Sequence, residues 1–100
     1  MLLQYGADFT RTGEKDVALV ATPEALAADT GEDIKAVAII AKAANTSDVF
    51  FGDSTGQLFP IPKFGEGAPF AFAAKSLADV FIKVGTNGDG VYYSYAIREH

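Results

Sequence analysis

The chain has 100 residues, a formal net charge of −5 and no cysteine. This length fits one domain with a real apolar core and little spare stability. Its eight basic residues form no cluster, which argues against binding to nucleic acid or to an anionic membrane, and the lack of cysteine excludes disulfides and thiolate metal sites.

The first fifteen residues differ from the rest in being polar and mixed. We predict that residues 1–15 form an N-terminal arm or an edge strand, with a weak strand over residues 2–5, and that residues 16–100 form a single β-sandwich domain. No basic segment accompanies the start of the chain, so no secretory signal is expected. Synthesis in the cytoplasm is therefore the expectation.

The next two segments are short. Residues 16–21 are predicted to form a strand. Thr22-Pro23-Glu24 can open one helical turn, because proline is favoured in the first helical positions. That turn is predicted to run to Asp29 before Gly31 ends it.

Residues 34–44 have a mixed pattern. Alanine and lysine favour a helix there, but on a helical wheel Ile39 and Ile40 both point away from Ile34, to opposite sides of it. As a strand, the segment places Ile34 and Ile40 on one face and Val37 and Ile39 on the other. We therefore predict a strand that is covered on both sides.

The middle of the chain alternates short apolar runs with turns. Residues 49–51 are predicted as a strand that is closed by the turn-rich residues 52–56. Residues 57–62 and 69–74 are predicted as extended segments. Three prolines fall in these two segments, namely Pro60, Pro62 and Pro69. Proline lacks a ladder donor, so the two segments should be edge or irregular strands.

The clearest alternation lies near the C-terminus. In residues 77–84, one face carries Val80, Ile82 and Val84. Residues 85–90 contain Asn-Gly and Asp-Gly, which are typical of tight turns. After the turn, one face carries Val91, Tyr93, Tyr95 and Ile97. The pattern predicts a β-hairpin, and the whole chain is predicted to be all-β: a small antiparallel β-sandwich or jelly-roll-like barrel of six to eight short strands.

Three motifs suggest chemistry but lack its partners. Gly52-Asp53-Ser54 is similar to a serine hydrolase block, yet the single histidine is His100 and no Asp-x-x-His pair exists. Residues 87–90 are similar to part of a calcium loop, but the ligands expected at the positions of Gly85 and Ala96 are missing. Residues 45–47 match a glycosylation acceptor, which without a secretory signal is expected to be chance. We predict no catalytic residue, no metal and no cofactor.

Three tyrosines of the last predicted strand allow two interpretations. Tyr92, Tyr93 and Tyr95 could stack a sugar or a base. A tyrosine-rich strand is more often divided between core and interface. Five phenylalanines are expected to be exposed, as more than a minimal core of this size needs: Phe50, Phe51, Phe59, Phe64 and Phe70. A self-complementary interface is a natural place for that excess.

Over residues 16–97 the chain resembles small virion structural proteins of tailed bacteriophages. The motifs that carry the resemblance are Ile34-Lys35-Ala36-Val37 leading to Ala41, Ala44-Asn45-Thr46, Val49 with Gly52-Asp53-Ser54, Phe59-Pro60-Ile61-Pro62 with Gly65, and Leu77-Ala78-Asp79-Val80-Phe81-Ile82 with Gly85-Thr86 and Gly88-Asp89. The resemblance implies a β-sandwich on the virion, often a trimer, with no enzymatic activity. The chain departs from the common pattern at residues 61–65, where a Leu-x-Pro-Gly segment is usual.

The resulting hypothesis is a non-enzymatic capsid decoration (cement) protein, located in the virion. Its expected partners are itself, with a trimer favoured, and the major capsid protein or another virion protein. The candidate interaction residues are Leu2, Leu3, Tyr5, Phe9, Phe64, Phe70 and Tyr92. One alternative is a carbohydrate- or host-surface-binding module that uses Tyr92, Tyr93, Tyr95 and the turn at residues 85–90. A weaker alternative is a small hydrolase that uses Ser54.

Overall fold

Two four-stranded antiparallel sheets stack face to face in the computed structural model, which describes residues 8–98 and the side chains of residues 11–97. In chain order the strands are β1 (Asp8–Asp16), β2 (Glu24–Ala25), β3 (Ile34–Ala41), β4 (Val49–Asp53), β5 (Gly56–Pro60), β6 (Phe70–Phe72), β7 (Phe81–Val84) and β8 (Gly90–Arg98). Sheet 1 has the order β1-β8-β3-β6 and sheet 2 the order β2-β7-β4-β5. The prediction of a small all-β sandwich is confirmed.

The apolar core lies between the two sheets. Its buried members are Val17, Leu26, Ile34, Val37, Ile39, Ala41, Val49, Phe51, Ile61, Leu77, Val80, Ile82, Val84 and Val91. Full burial of a valine, leucine or isoleucine side chain is worth roughly 1.5–3 kcal/mol. Nine of these fourteen residues come from β3, β4, β7 and β8, which are the inner strands of the two sheets, so the apolar pattern in the sequence marks the interior.

Within residues 34–44 the predicted strand is β3, which ends at Ala41, but its faces differ from the prediction. A register shift between Ile34 and Ala36 interrupts its pairing with β8. One extra residue therefore brings Ile34 onto the same inward face as Val37 and Ile39, and Ile40 points outward. The prediction that Ile34 and Ile40 lie on the same face was wrong, because simple alternation does not allow for a bulge.

The prediction for residues 16–29 is also corrected. β1 ends at Asp16, and residues 17–21 form a turn in which Leu19 and Val20 are exposed. Residues 22–29 contain the short strand β2 rather than a helical turn. The physical reason is tertiary: Leu26 is buried in the core and its N–H donates to the carbonyl of Val80 at 2.7 Å.

The predicted C-terminal hairpin does not form, although both of its strands exist. β7 belongs to sheet 2 and β8 to sheet 1, so residues 85–89 cross from one sheet to the other. The first strand is also shorter than predicted, because Leu77–Asp79 form a 3-10 turn. The inward positions Val80, Ile82 and Ile97 are nevertheless buried, as the alternation indicated.

The proline-bearing segments become β5 and β6, and each lies at an edge of its sheet. The predicted strand over residues 49–51 is β4, and the turn that follows it joins β4 to β5. Residues 8–15 lie in β1, the other edge strand of sheet 1. The strand predicted over residues 2–5 lies outside the described residues, as do Leu2, Leu3 and Tyr5.

Candidate functional site

Ser54, the candidate nucleophile, lies in the exposed turn between β4 and β5. The neighbouring Asp53 carboxylate accepts hydrogen bonds from the Thr55 hydroxyl at 2.7 Å, from its N–H at 2.9 Å and from the Gly56 N–H at 3.0 Å. These donors, the Thr55 hydroxyl first, hold the pKa of Asp53 below its usual value. The carboxylate thus stabilises the turn, and His100 lies outside the described residues.

The segment with calcium-loop character is a structural junction. The buried Asp89 carboxylate accepts from the N–H groups of Thr46 and Ser47 and from the Ser47 hydroxyl at 3.0–3.2 Å. The Asn45 amide both donates to Gly90 O, at 2.7 Å, and accepts from Gly90 N, at 2.9 Å. Hydrogen-bond donors therefore surround Asp89, and within residues 8–98 no group of His, Cys, Asp or Glu is placed to hold a metal ion.

The three tyrosines of β8 do not share one surface. Tyr93 and Tyr95 stack with ring centroids 6.2 Å apart and pack against the core. Burial, followed by the nearby Glu32 carboxylate, raises the pKa of Tyr95. Tyr92 faces outward and is 43% exposed. Tyr92 is therefore the exposed ring of the three on which a ligand could stack.

The Tyr92 ring is held in place by two neighbours. Phe64 meets it edge-on, with the ring centroids 6.1 Å apart, and Lys42 Nζ lies 5.2 Å from its centroid. Lys42 also pairs with Asp16 at 2.8 Å and with Glu14. The bond to Asp16, and then the bond to Glu14, raises the pKa of Lys42. The result is a fixed aromatic group at one end of sheet 1.

A groove of about 420 Å³ lies beside Tyr92 on the outer face of sheet 1. Ala38 and Ser94 line it as small side chains, and Thr12, Glu14 and Tyr92 also border it. This groove was not predicted from the sequence, because its lining comes mainly from three strands that are distant in sequence. The available signal was the small size of Ala38 and Ser94 at outward-facing positions.

A second surface lies at the edge strands β5 and β6, and we call it the aromatic edge. It consists of Phe51, Phe59, Phe70 and Phe72, together with Leu58. The Phe51 ring centroid lies 5.7 Å from that of Phe59, 5.4 Å from that of Phe70 and 4.9 Å from that of Phe72. Phe51 is buried, contrary to its inclusion among the surplus residues, because these three rings cover it.

The outer members of the aromatic edge are open to solvent. Leu58 is 80% exposed and Phe59 is 62% exposed. Phe70, one of the predicted interaction residues, is 46% exposed, and Phe64 is 54% exposed. Phe9 lies in β1 opposite Ile97, and its side chain is not among the side chains of residues 11–97 that the structure describes.

No family model matches the chain, and neither a curated protein nor a solved structure shows significant similarity to it. The resemblance to virion proteins therefore stays a prediction. Among the residues that the structure describes, no helix has the length and apolar character of a bilayer-crossing segment.

Proposed function

We propose that the protein is a non-enzymatic structural protein of a bacteriophage virion, namely an oligomeric capsid decoration (cement) protein that stabilises the head shell. Made in the host cytoplasm, it binds copies of itself and the major capsid protein or another virion protein. Support comes from the sandwich fold and from the motifs over residues 16–97. The trimer favoured by the resemblance is part of this proposal.

The observation that carries the proposal is the number of large apolar side chains at the surface. Phe64, Phe70 and Tyr92 are all exposed, and so are Leu58 and Phe59. A chain of this size gains stability when a partner removes such side chains from water, at about 25 cal/mol per Å² of apolar area. Contact with neighbouring subunits supplies that cover.

The test is binding to empty heads of the phage that encodes the chain. We expect the purified protein to sediment with heads that lack it, in a saturable way, and to raise the temperature at which they break. Phe64→Ser should weaken this binding by about tenfold, which corresponds to about 1.4 kcal/mol. Leu19→Ser, at an exposed apolar site in the turn after β1, is the matched control. Failure of the wild-type protein to bind the heads would contradict the proposal.

A second candidate function is carbohydrate binding in the groove beside Tyr92. The groove combines an exposed aromatic ring with the polar side chains of Thr12, Glu14 and Ser94, which is the combination that sugar binding uses. A glycan array would test it: binding that disappears in Tyr92→Ala and persists in Tyr95→Phe would support this function. No binding to any glycan would remove the candidate.

A further inference from the structure

Asn87 and Gly88 form the only Asn-Gly pair of the chain. They lie in a turn that the Asp89 N–H closes by donating to the Thr86 carbonyl at 3.1 Å, with Gly88 in the left-handed region at a φ of 91°. Both residues of the pair are exposed. Because glycine has no side chain, its backbone nitrogen can approach the amide carbon of the preceding asparagine without steric hindrance. The turn therefore presents a reactive pair to water.

The reaction open to this pair is deamidation. The Gly88 nitrogen loses its proton to hydroxide and attacks Asn87 Cγ, so that a new N–C bond forms and the side-chain nitrogen leaves as ammonia. The product is a five-membered cyclic imide. Water then adds to one of the two imide carbonyls and opens the ring, which gives either aspartate or isoaspartate at residue 87. Water is the only reagent consumed, and the hydroxide is regenerated.

The turn after β1 holds both groups that have to react. The Gly88 N–H donates to the Val17 carbonyl at 2.8 Å, and Asn87 Oδ1 accepts from the Val20 N–H at 2.8 Å. Attack requires the Gly88 nitrogen to leave the first bond, and the second bond opposes the rotation that would bring Cγ to it. Val17 is fully buried, and its own N–H donates to the Asp89 carbonyl at 2.9 Å. The closed turn therefore opposes the reaction.

We propose that Asn87–Gly88 is a site of spontaneous deamidation, and that the turn at residues 17–20 keeps it unreacted until that turn opens. Within the turn only Val17 is buried, while Leu19 and Val20 are exposed. A segment with so little buried apolar surface opens locally at a lower free energy than the core unfolds. The reaction therefore reports the opening of this turn rather than unfolding of the whole protein.

The product changes the turn permanently. Isoaspartate adds one carbon atom to the main chain between residues 87 and 88, which moves the Gly88 N–H away from the Val17 carbonyl. Either product also adds a negative charge to a chain whose net charge is −5. Hydrolysis of the imide with loss of ammonia is not reversed in water. Conversion to isoaspartate thus removes a bond that holds the end of β1 to the crossing between the sheets.

Mass spectrometry of tryptic peptides measures the reaction at each asparagine. Trypsin releases residues 84–98, in which Asn87 is the only amide side chain, and residues 43–63, which contain Asn45. At mildly alkaline pH we expect Asn87 to react at least about tenfold more slowly in the folded protein than in a synthetic peptide of residues 84–98, because only the open fraction reacts. Asn45, held by two bonds to Gly90, is the internal comparison and should stay unreacted. A sample taken at zero time corrects for reaction during digestion.

Two valine truncations separate local opening from global unfolding. Val17 and Val49 are both fully buried, but only Val17 anchors the turn. We expect Asn87 to deamidate about fivefold faster in Val17→Ala than in Val49→Ala, because about 1 kcal/mol lost at the anchor changes the open population by that factor. Urea unfolding shows that both variants are folded during the incubation.

Three results would overturn parts of this proposal. An unreactive peptide of residues 84–98 would remove the modification site. Equal rates in the peptide and in the folded wild-type protein would show that the turn gives no protection. Equal rates in Val17→Ala and Val49→Ala would show that the reaction passes through global unfolding. The chemistry needs no partner, so none of these results bears on binding to phage heads.

Discussion

Asp89 joins separate segments of the chain through one buried carboxylate. Its oxygens accept from Thr46 and Ser47, while its backbone carbonyl accepts from the Val17 N–H at 2.9 Å. The crossing between the sheets, the loop before β4 and the end of β1 therefore meet at one residue. A group that satisfies several buried donors costs more to remove than its own hydrogen bonds contribute, because the donors are left without partners.

We expect Asp89→Ala to lower the free energy of unfolding by about 3 kcal/mol, because it leaves the N–H groups of Thr46 and Ser47 unsatisfied. Urea unfolding followed by circular dichroism would measure this. Asp48→Ala is the matched control, since the Asp48–Lys63 pair is exposed, at 3.3 Å, and should contribute less than about 1 kcal/mol. Equal effects of the two substitutions would contradict the structural role of Asp89.

The carboxyl group of Glu24 should make stability depend on pH. Lys15 Nζ donates to Glu24 at 2.8 Å and the Ala18 N–H donates at 3.1 Å, and these bonds, the first above all, lower the pKa of Glu24. A lowered carboxyl pKa adds stability that is present above the unfolded value of about 4.3 and is lost as the pH falls through the folded value.

We therefore expect the free energy of unfolding to decrease on acidification below about pH 4, and to decrease less steeply in Glu24→Gln. Urea unfolding at a series of pH values gives both slopes. Glu66→Gln removes an exposed carboxyl group in the loop before β6 and provides the comparison. If Glu24→Gln and Glu66→Gln change the slope equally, the pair with Lys15 does not stabilise the fold.

At the scale of the element, β1 and β8 approach closely where β8 begins. A Cβ atom added at Gly90 would overlap the Lys15 carbonyl oxygen and lie 2.8 Å from Asp16 Cα. Both are backbone atoms, so the strands themselves would have to separate. Only glycine fits this position without displacing the edge strand of sheet 1.

Gly90→Ala should accordingly destabilise the protein by about 2 kcal/mol, which is typical of an overpacked site. The comparison is Gly67→Ala, where the nearest contact of an added Cβ is Pro62 Cβ at an ordinary 3.8 Å. Thermal unfolding of both variants would decide the matter. Equal melting temperatures of Gly90→Ala and Gly67→Ala would contradict this prediction, because they would show that β1 can move away from residue 90 with little loss of stability.

The elements also show what the sequence can and cannot predict. Period-two alternation located β3, β7 and β8, and a short apolar run located β4, because burial acts on each strand separately. Strand partners were not predictable in the same way. The turn residues at 85–90 favour a hairpin locally, but the bonds between Asn45 and Gly90, and the bond that Thr46 N–H donates to Asp89, hold the segment as a crossing between the sheets. Those bonds join residues more than forty positions apart.

At the scale of the whole molecule, both sheets depend on one core. Ile82 of β7, in sheet 2, is fully buried in the same cluster as Ile39 and Val91 of sheet 1. Loss of packing in one sheet therefore destabilises the other sheet as well.

The candidate surfaces also depend on the whole molecule. The composition predicted a surplus of phenylalanine, but the groove and the aromatic edge are formed by strands that only the complete fold brings together.

Ile82→Ala should lower the free energy of unfolding by about 3 kcal/mol, through lost burial and the cavity that remains. The tyrosines of β8 lie in sheet 1, so near-ultraviolet circular dichroism reports that sheet, while the far-ultraviolet signal reports both. We expect the two signals to shift to the same lower urea concentration. Separate transitions would show that the sheets unfold independently. Leu19→Ala, at an exposed site, should leave both unchanged.

The strand order of sheet 1 also determines when the protein can fold during its synthesis. β8 lies between β1 and β3, yet it is the last of the described strands to be translated. A ribosome that has added residues 1–89 has made both neighbours of β8 without the strand that joins them, and β1 has no other ladder partner among the described strands. Closing such long-range pairs is slow. Sheet 1 is therefore completed only after residues 90–98 have emerged from the ribosome.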